Sequence, residues 1–291
     1  MASASLSTTA GLTASPEVRL WRRLLRSRSV LWGGSIVALL IAIALGANVL
    51  APYGENELVG ESLEAASRTH WMGTDTLRKD VLSRVIFGSR LSLLTGCFSI
   101  VVSIVIGAPL GAIAGFYGGR VDAFIMRTID VALAFPSILL ALVMAAVWKP
   151  SWETVILSVG LINVPVFARQ LRASVLTMVQ LDYVMASKAL GASTLRTLWR
   201  EILPGLAGPL VVLASLSIGT AILEVAGLSF LGIGGDPTQP EWGTMLSQAK
   251  GYWSRNAWFA LGPGLAISLS VLGFNLLGDG LRDVLDPRSE D

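Results

Sequence analysis

The residues that could do covalent chemistry are few. The 291-residue chain has one histidine, His70, and one cysteine, Cys97, which leaves no material for a disulfide framework, a CxxC pair or a His-rich metal site. No Gly-Lys dipeptide occurs in it, so the GxxxxGK[ST] loop that cradles nucleotide phosphates is absent. A GxSxG-like segment is missing as well, and with it a serine triad. The expectation is a chain with no catalytic residue, no metal ligand set and no cofactor, in which Cys97 is a small buried apolar side chain. Two carboxylates draw attention instead, because they stand in or beside long apolar runs: Asp130 and Glu224. A charge there is costly unless it faces water or a partner. Glu224 therefore reads either as an interfacial carboxylate reaching a surface or as one wall of a water-filled path.

The elements that must position these side chains are themselves apolar. Hydrophobic residues make up 53% of the chain and charged residues 14%, with a mean hydropathy of +0.65, too little polar surface to coat a soluble globule. Apolar runs at 30–50, 91–115, 129–147, 154–168, 209–224 and 258–277 predict about six membrane-spanning helices, an all-α integral membrane protein. The first run follows a basic stretch and is longer than the roughly 7 to 15 residues of a signal-peptide core, so it is read as a retained span. The fourth is short for a ~30 Å hydrocarbon core and must borrow flanking residues. Pro109, Pro136 and Pro165 predict kinks that neighbouring helices can accommodate.

The basic residues set direction. With the amino terminus inside, fourteen of the 22 Lys and Arg residues fall in inside segments, so the positive-inside rule places both termini in the cytoplasm. The organisation expected is a cytoplasmic tail over 1–28, whose first fifteen residues form an unstructured leader, and a first span over 29–51. An extracytoplasmic segment follows over 52–89, then a core over 90–285 and a short tail over 286–291. A net charge of +2, with the cations in short segments between apolar runs, fits membrane orientation better than nucleic-acid binding.

The longest inside connection has helical periodicity. Leu181, Val184, Met185 and Lys188 recur at i, i+3, i+4 and i+7 before Gly191, a position suited to a left-handed helix stop. Ser193 can cap a second short helix that presents Leu195, Leu198, Trp199 and Ile202 on one side until Pro204 ends it. A bent pair of helices with an exposed apolar knob fits a partner's groove; the competing reading is a helix lying on the lipid surface with Trp199 as anchor. The segment 229–256, rich in Gly, Pro and aromatics, is expected either to touch a partner or cap the path with Trp242, or to form an interfacial aromatic belt.

Met185-Ala186-Ser187-Lys188-Ala189-Leu190-Gly191, followed by Ile202-Leu203-Pro204, resembles the EAA loop of the permease subunits of bacterial ABC importers, with Met185 where that motif has its leading Glu and Ser187 where it has its second Ala. Three further segments resemble the oligopeptide, dipeptide and nickel permeases of that class. Trp71 to Arg84 is similar to "GTDxxGRDxxSR", Leu228 to Leu246 to "LSFLGxGxxPPxPxWGxML", and Asn275 to Arg288 to the carboxy-terminal signature. The resemblance is to the C-type subunit of the peptide permeases. It implies a type I ABC-importer permease fold in a bacterial cytoplasmic membrane and import of oligopeptides or dipeptides, or alternatively of nickel, glutathione or another small solute. The partners implied are a second permease subunit, two ATPase subunits and an extracytoplasmic peptide-binding protein, with lipid around them and no nucleic acid. Met185, Ala186, Ser187, Leu190, Gly191, Leu195 and Leu198 become the expected ATPase-docking residues, within a coupling loop over 169–206. Glu224, Asn163 and Trp242 become the expected pathway or outer-gate residues.

Overall fold

The computed structural model describes residues 23–285; the expected leader, the start of the basic run and the tail 286–291 lie outside them. The described residues hold α-helices and no strand. Helix α1 is Arg28–Leu45, opened by Ser27, whose Oγ accepts a hydrogen bond from the Val30 N–H. Helix α2 is Val81–Tyr117, 37 residues long, capped by Asp80 accepting from the Ser83 N–H. At ~1.5 Å per residue α2 measures about 55 Å, well beyond the ~30 Å of a hydrocarbon core. It therefore starts ten residues before the apolar run and absorbs the last nine residues of the expected segment 52–89, including Arg84.

The run 129–147 does not form the single kinked span expected of it. The chain makes helix α3, Gly119–Leu133, and helix α4, Ser137–Trp148, which meet at 87°. Pro136 supplies no N–H to continue the ladder and biases Phe135 away from helical geometry, so the break falls where the proline is. Helix α5, Trp152–Met178, extends the short fourth run at both ends, as its length required. Its last turns absorb the beginning of the expected loop 169–206. After two short helices, α6 at Asp182–Ala189 and α7 at Thr194–Thr197, the chain enters α8, Ala207–Phe230; α9, Trp242–Gln248, and α10, Trp258–Leu285, complete the order. Five of these helices are long and apolar enough to cross a membrane, and the bent α3/α4 pair, taken as one passage, makes six.

Small residues bring the helices together. Helices α2 and α5 run parallel, and a Cβ on Gly107 would lie 2.7 Å from the Val164 carbonyl oxygen, while one on Gly115 would lie 2.8 Å from that of Arg172. Gly111 faces the Ala168 backbone between them, and Ser103 Oγ donates to the Gly160 carbonyl at 2.8 Å. Helix α10 packs antiparallel to both α1 and α8: Gly273 abuts Ile36, Gly280 abuts Val30, and Gly278 abuts Leu216. The start of α1 and the end of α10 consequently lie at the same end of the bundle as the loop between α5 and α8. We call this the elbow end, and the opposite one, where residues 52–80 and α9 gather, the plug end.

Gly111→Leu is expected to separate α2 from α5 and to lower the thermal midpoint of the detergent-solubilised protein by several degrees, whereas Gly34→Ala, where an added methyl meets only the Leu277 side chain at 4.0 Å, leaves it unchanged. Fluorescence-detected thermal unfolding of the two variants checks both outcomes.

Candidate functional site

At the elbow end α6 and α7 form the bent pair expected from the sequence. Gly191 sits between them at φ +80°, the left-handed region in which a side chain is strained, and the Ala192 N–H reaches back to the Ser187 carbonyl. Ser193 Oγ accepts from the Arg196 N–H and starts α7, which runs through a π-helical turn, Leu198–Ile202, into Pro204. The pair has two faces. Val184, Leu198, Ile202 and Leu206 are buried against Ala112, Leu171 and Val175 of the bundle, and the Lys188 ammonium lies 5.3 Å from the centre of the Phe116 ring. Met185, Ala186, Leu190, Gly191 and Leu195 face outward with Trp199, Leu190 being 88% exposed; Ser187 is intermediate. One expectation fails here. Leu198 and Ile202 do not share an exposed side with Leu195 and Trp199, because the bundle itself claims them, and Leu198 is an anchor of the elbow rather than part of its free surface.

Two ion pairs hold α3 to α5 near this end. Arg172 donates through Nε and Nη2 to Asp122, and Arg169 Nη2 donates to Asp130 at 2.8 Å. Asp130 is thus paired, and more than half of its side chain is exposed.

Further along α5, two of the three expected pathway residues, Asn163 and Glu224 of α8, come together. Asn163 Nδ2 donates to Glu224 Oε2 at 2.7 Å and to the Val159 carbonyl at 3.0 Å. Glu224 borders two cavities, of about 270 and 200 Å³, which also share Ser137 and Ile162 and lie against the bend between α3 and α4. Apart from Glu224, Asn163 and Ser137 the named walls are apolar, with Ile138, Val159 and Leu223 on one side and Phe135, Leu140 and Val166 on the other.

Trp242 is not with them. It is 1% exposed, wedged at the plug end with its indole Nε1 donating to the Val85 carbonyl at 3.0 Å, and it can neither touch a partner nor line the chamber. Glu241 explains its position. This buried carboxylate accepts hydrogen bonds from the Gly243 and Thr244 N–H groups, the Thr244 hydroxyl and Ser92 Oγ, which starts α9 inside the bundle. Gly243 then packs directly on the Ala226 backbone. Around α9 lies a polar cluster that sequence reasoning matched as a motif without giving its members a role. Asp75 and Arg84 form a salt bridge with both side chains buried, and Arg84 Nη1 also donates to Gln248 Oε1 at 3.0 Å. Lys79 Nζ donates to Asn56 Oδ1 and to the Thr238 carbonyl, and Asn256 Nδ2 to the Met72 and Thr74 carbonyls. Burial, and then the neighbouring Arg84, push the Lys79 ammonium below its ordinary pKa. These bonds tie 52–80 to the loop between α8 and α10. The signal in the sequence was the motif match over Trp71 to Arg84 and Leu228 to Leu246.

Among the described residues no group of His, Cys, Asp or Glu could hold a metal ion. Residues 107–291 match the model of the binding-protein-dependent transport system inner membrane component, and residues 15–64 that of the N-terminal transmembrane domain of oligopeptide transport permease C. The chain belongs to this permease family. It is 44% identical to the glutathione transport system permease protein GsiD of Pectobacterium atrosepticum (94% of this chain, 91% of the relative). It is 42% identical to the di/tripeptide transport system permease protein DppC of Pseudomonas aeruginosa (94% and 93%) and 40% to the dipeptide transport system permease protein DppC of Alkalihalophilus pseudofirmus (94% and 90%). A chain of the inward-facing MetNI methionine ABC transporter has the same fold, with a TM-score of 0.58 at 20% identity over 69% of this permease and 96% of that chain. The permease is thus a multi-pass membrane protein of a transport family, with the importer fold that the motifs implied.

Because Trp242 is buried, Trp242→Ala is expected to destabilise the permease by about 3 kcal/mol or more, visible as a lower thermal midpoint and poorer membrane yield. Asp75→Ala strands the buried Arg84 guanidinium and is expected to cost a similar ~3 kcal/mol or more. Asp130→Ala, which breaks an exposed pair, changes stability by no more than about 1 kcal/mol. Thermal melts of the three purified variants test this ranking.

Proposed function

We propose that this permease is one of two membrane subunits of an ATP-driven importer of dipeptides and oligopeptides, with the elbow gripped by an ATPase subunit on the cytoplasmic side. The observation that carries this reading is the two-faced elbow: one face is fixed to α2 and α5, and the other offers Met185, Leu190, Leu195 and Trp199 to an external groove. A lipid-surface helix would need no such anchoring. The substrate class follows from the relatives, two of which are named for dipeptides or di/tripeptides and one for glutathione, itself a small peptide.

The mechanical link is α5. It carries Asn163 in the chamber and Val175 against the elbow, twelve residues or about 18 Å apart on one helix. When the ATPase pair closes on ATP, the two docked elbows move together and α5 tilts as a rigid body, which alters the chamber at Glu224. ATP hydrolysis in the partner subunits resets it. The plug end faces the extracytoplasmic space in this arrangement, so both termini are cytoplasmic. Asp236, Pro237, Thr238 and Gln239, with Tyr252 and Trp253, are exposed there and form the surface offered to a peptide-binding protein, in place of Trp242.

Leu190→Asp is expected to leave membrane insertion and thermal stability intact while lowering cargo-stimulated ATP hydrolysis at least about tenfold, with the ATPase subunits lost on purification; Gly191→Asp, which also strains the left-handed backbone, is expected to insert, to melt somewhat lower and to lose coupling likewise. Leu198→Asp, by contrast, is expected to lower stability itself. Co-purification and ATPase assays on reconstituted complexes decide between these outcomes, and Leu190→Asp with full coupling removes the elbow from the docking site.

A further inference from the structure

We infer that Glu224 and Asn163 form a cation subsite in the chamber, one that takes the protonated amino terminus of the transported peptide. The inference rests on the importer reading and names the part of the cargo that this site recognises. Hydrogen-bond accounting carries it. A carboxylate only accepts, so the Asn163 group facing Glu224 must be its amide nitrogen, and both of that nitrogen's hydrogens are used, on Glu224 Oε2 and on the Val159 carbonyl. Among the described residues no hydrogen bond reaches Glu224 Oε1 or Asn163 Oδ1. What the pair leaves open is therefore two acceptors and one negative charge. Glu224 meets no Lys or Arg in the described residues.

The surroundings sharpen the choice of ligand. Glu224 lines both cavities and Asn163 only the one of about 200 Å³, with Phe135, Leu140 and Val166; the adjoining space of about 270 Å³ is walled around Glu224 by Ile138, Ala141, Val159, Leu223 and Leu231, and each is small for a ligand pocket. A single charge in low-polarity surroundings discriminates strongly between cations and anions. An ammonium brings one positive charge and a donor for each of the two open acceptors, with its third N–H left to water or the peptide itself, while the apolar walls accept the adjoining aliphatic or aromatic side chain. Every peptide with a free amino terminus carries that group, so the subsite places no demand on sequence. It would hold cargo by its common end.

The test uses the complete transporter in proteoliposomes, with Cys97→Ala to remove the native thiol and Leu231→Cys to report from the chamber wall. Two thiol reagents of similar size are compared, a trimethylammonium-ethyl and a sulfonatoethyl methanethiosulfonate. The cationic reagent is expected to be favoured, and Glu224→Gln is expected to cut the cation-to-anion rate ratio about five- to tenfold, whereas Glu224→Asp retains most of it. Saturating free-amino dipeptide on the binding protein is expected to slow labelling during turnover, and Glu224→Gln is expected to lower dipeptide uptake by a similar factor with the thermal midpoint unchanged. A rate ratio that Glu224→Gln does not move overturns the cation subsite, even if uptake falls. A site that no reagent reaches in any nucleotide state overturns the open chamber. Failure of the parent transporter to import any peptide overturns the cargo assignment, and an intact reagent preference tells that failure apart from loss of the site.

Discussion

The structure depends on the close parallel contact between α2 and α5. Lipid tails are as apolar as leucine, so two helices in a bilayer gain little by burying apolar area against each other; what favours their association is dense packing and interhelical hydrogen bonding. Gly107, Gly111 and Gly115 remove the side chains that would hold α5 away, and the Ser103 hydroxyl bonds across the gap to Gly160. This contact sets where α5 runs, and α5 in turn positions Asn163 for the chamber, Arg169 and Arg172 for the clamps on α3, and Leu171 and Val175 for the elbow. Helix α10 uses the same device on a second pair of neighbours, so that one helix joins α1 to α8.

Polar groups are distributed along the bundle according to what each depth permits. At the plug end, Asp75 and Arg84 are fully enclosed, where a charge is tolerated only with its counter-charge and further hydrogen bonds. Glu241 is equally enclosed and is held by four donors, two of them at the start of α9. At the elbow end the Asp130–Arg169 and Asp122–Arg172 pairs are partly or largely in the open, where ion pairs contribute little individually. Glu224 fits neither pattern, having one amide partner and a cavity on each side.

The elbow shows how one short segment can be both fixed and available. Its buried residues follow from the π-helical turn, which rotates Leu198 and Ile202 toward the bundle while Leu195 and Trp199 remain outside. Pro204 cannot donate to the ladder, and the turn just before it is where the regular pattern gives way. Its attachment is to packed side chains of α2 and α5 rather than to a flexible tether. The family comparison gives the fold of the importer permease, and the packing gives the reason this loop is rigid in it.

Much of this was legible in the residues. Length and hydropathy of the runs determined the all-helical membrane class, because spanning hydrocarbon leaves few alternatives for the backbone. The absence of nucleotide-binding and nucleophile motifs, the helix stop at Gly191 and the cap at Ser193 were local in sequence, whereas the hydrogen bond between Asn163 and Glu224, 61 residues apart, came from the packing of α5 on α8. Tertiary structure decided what depended on neighbours far away in the chain. Leu195 and Leu198 are both apolar and three residues apart, and only the surfaces of α2 and α5 determine which of them is covered. Trp242 reads as an exposed loop aromatic until Glu241 and Ser92, 149 residues apart, draw it inside. Periodicity cannot distinguish a proline kink from an 87° turn, since the run 129–147 is apolar on either account. Sequence records which groups must be satisfied; the fold alone determines with whom, because the partners are brought together only by packing.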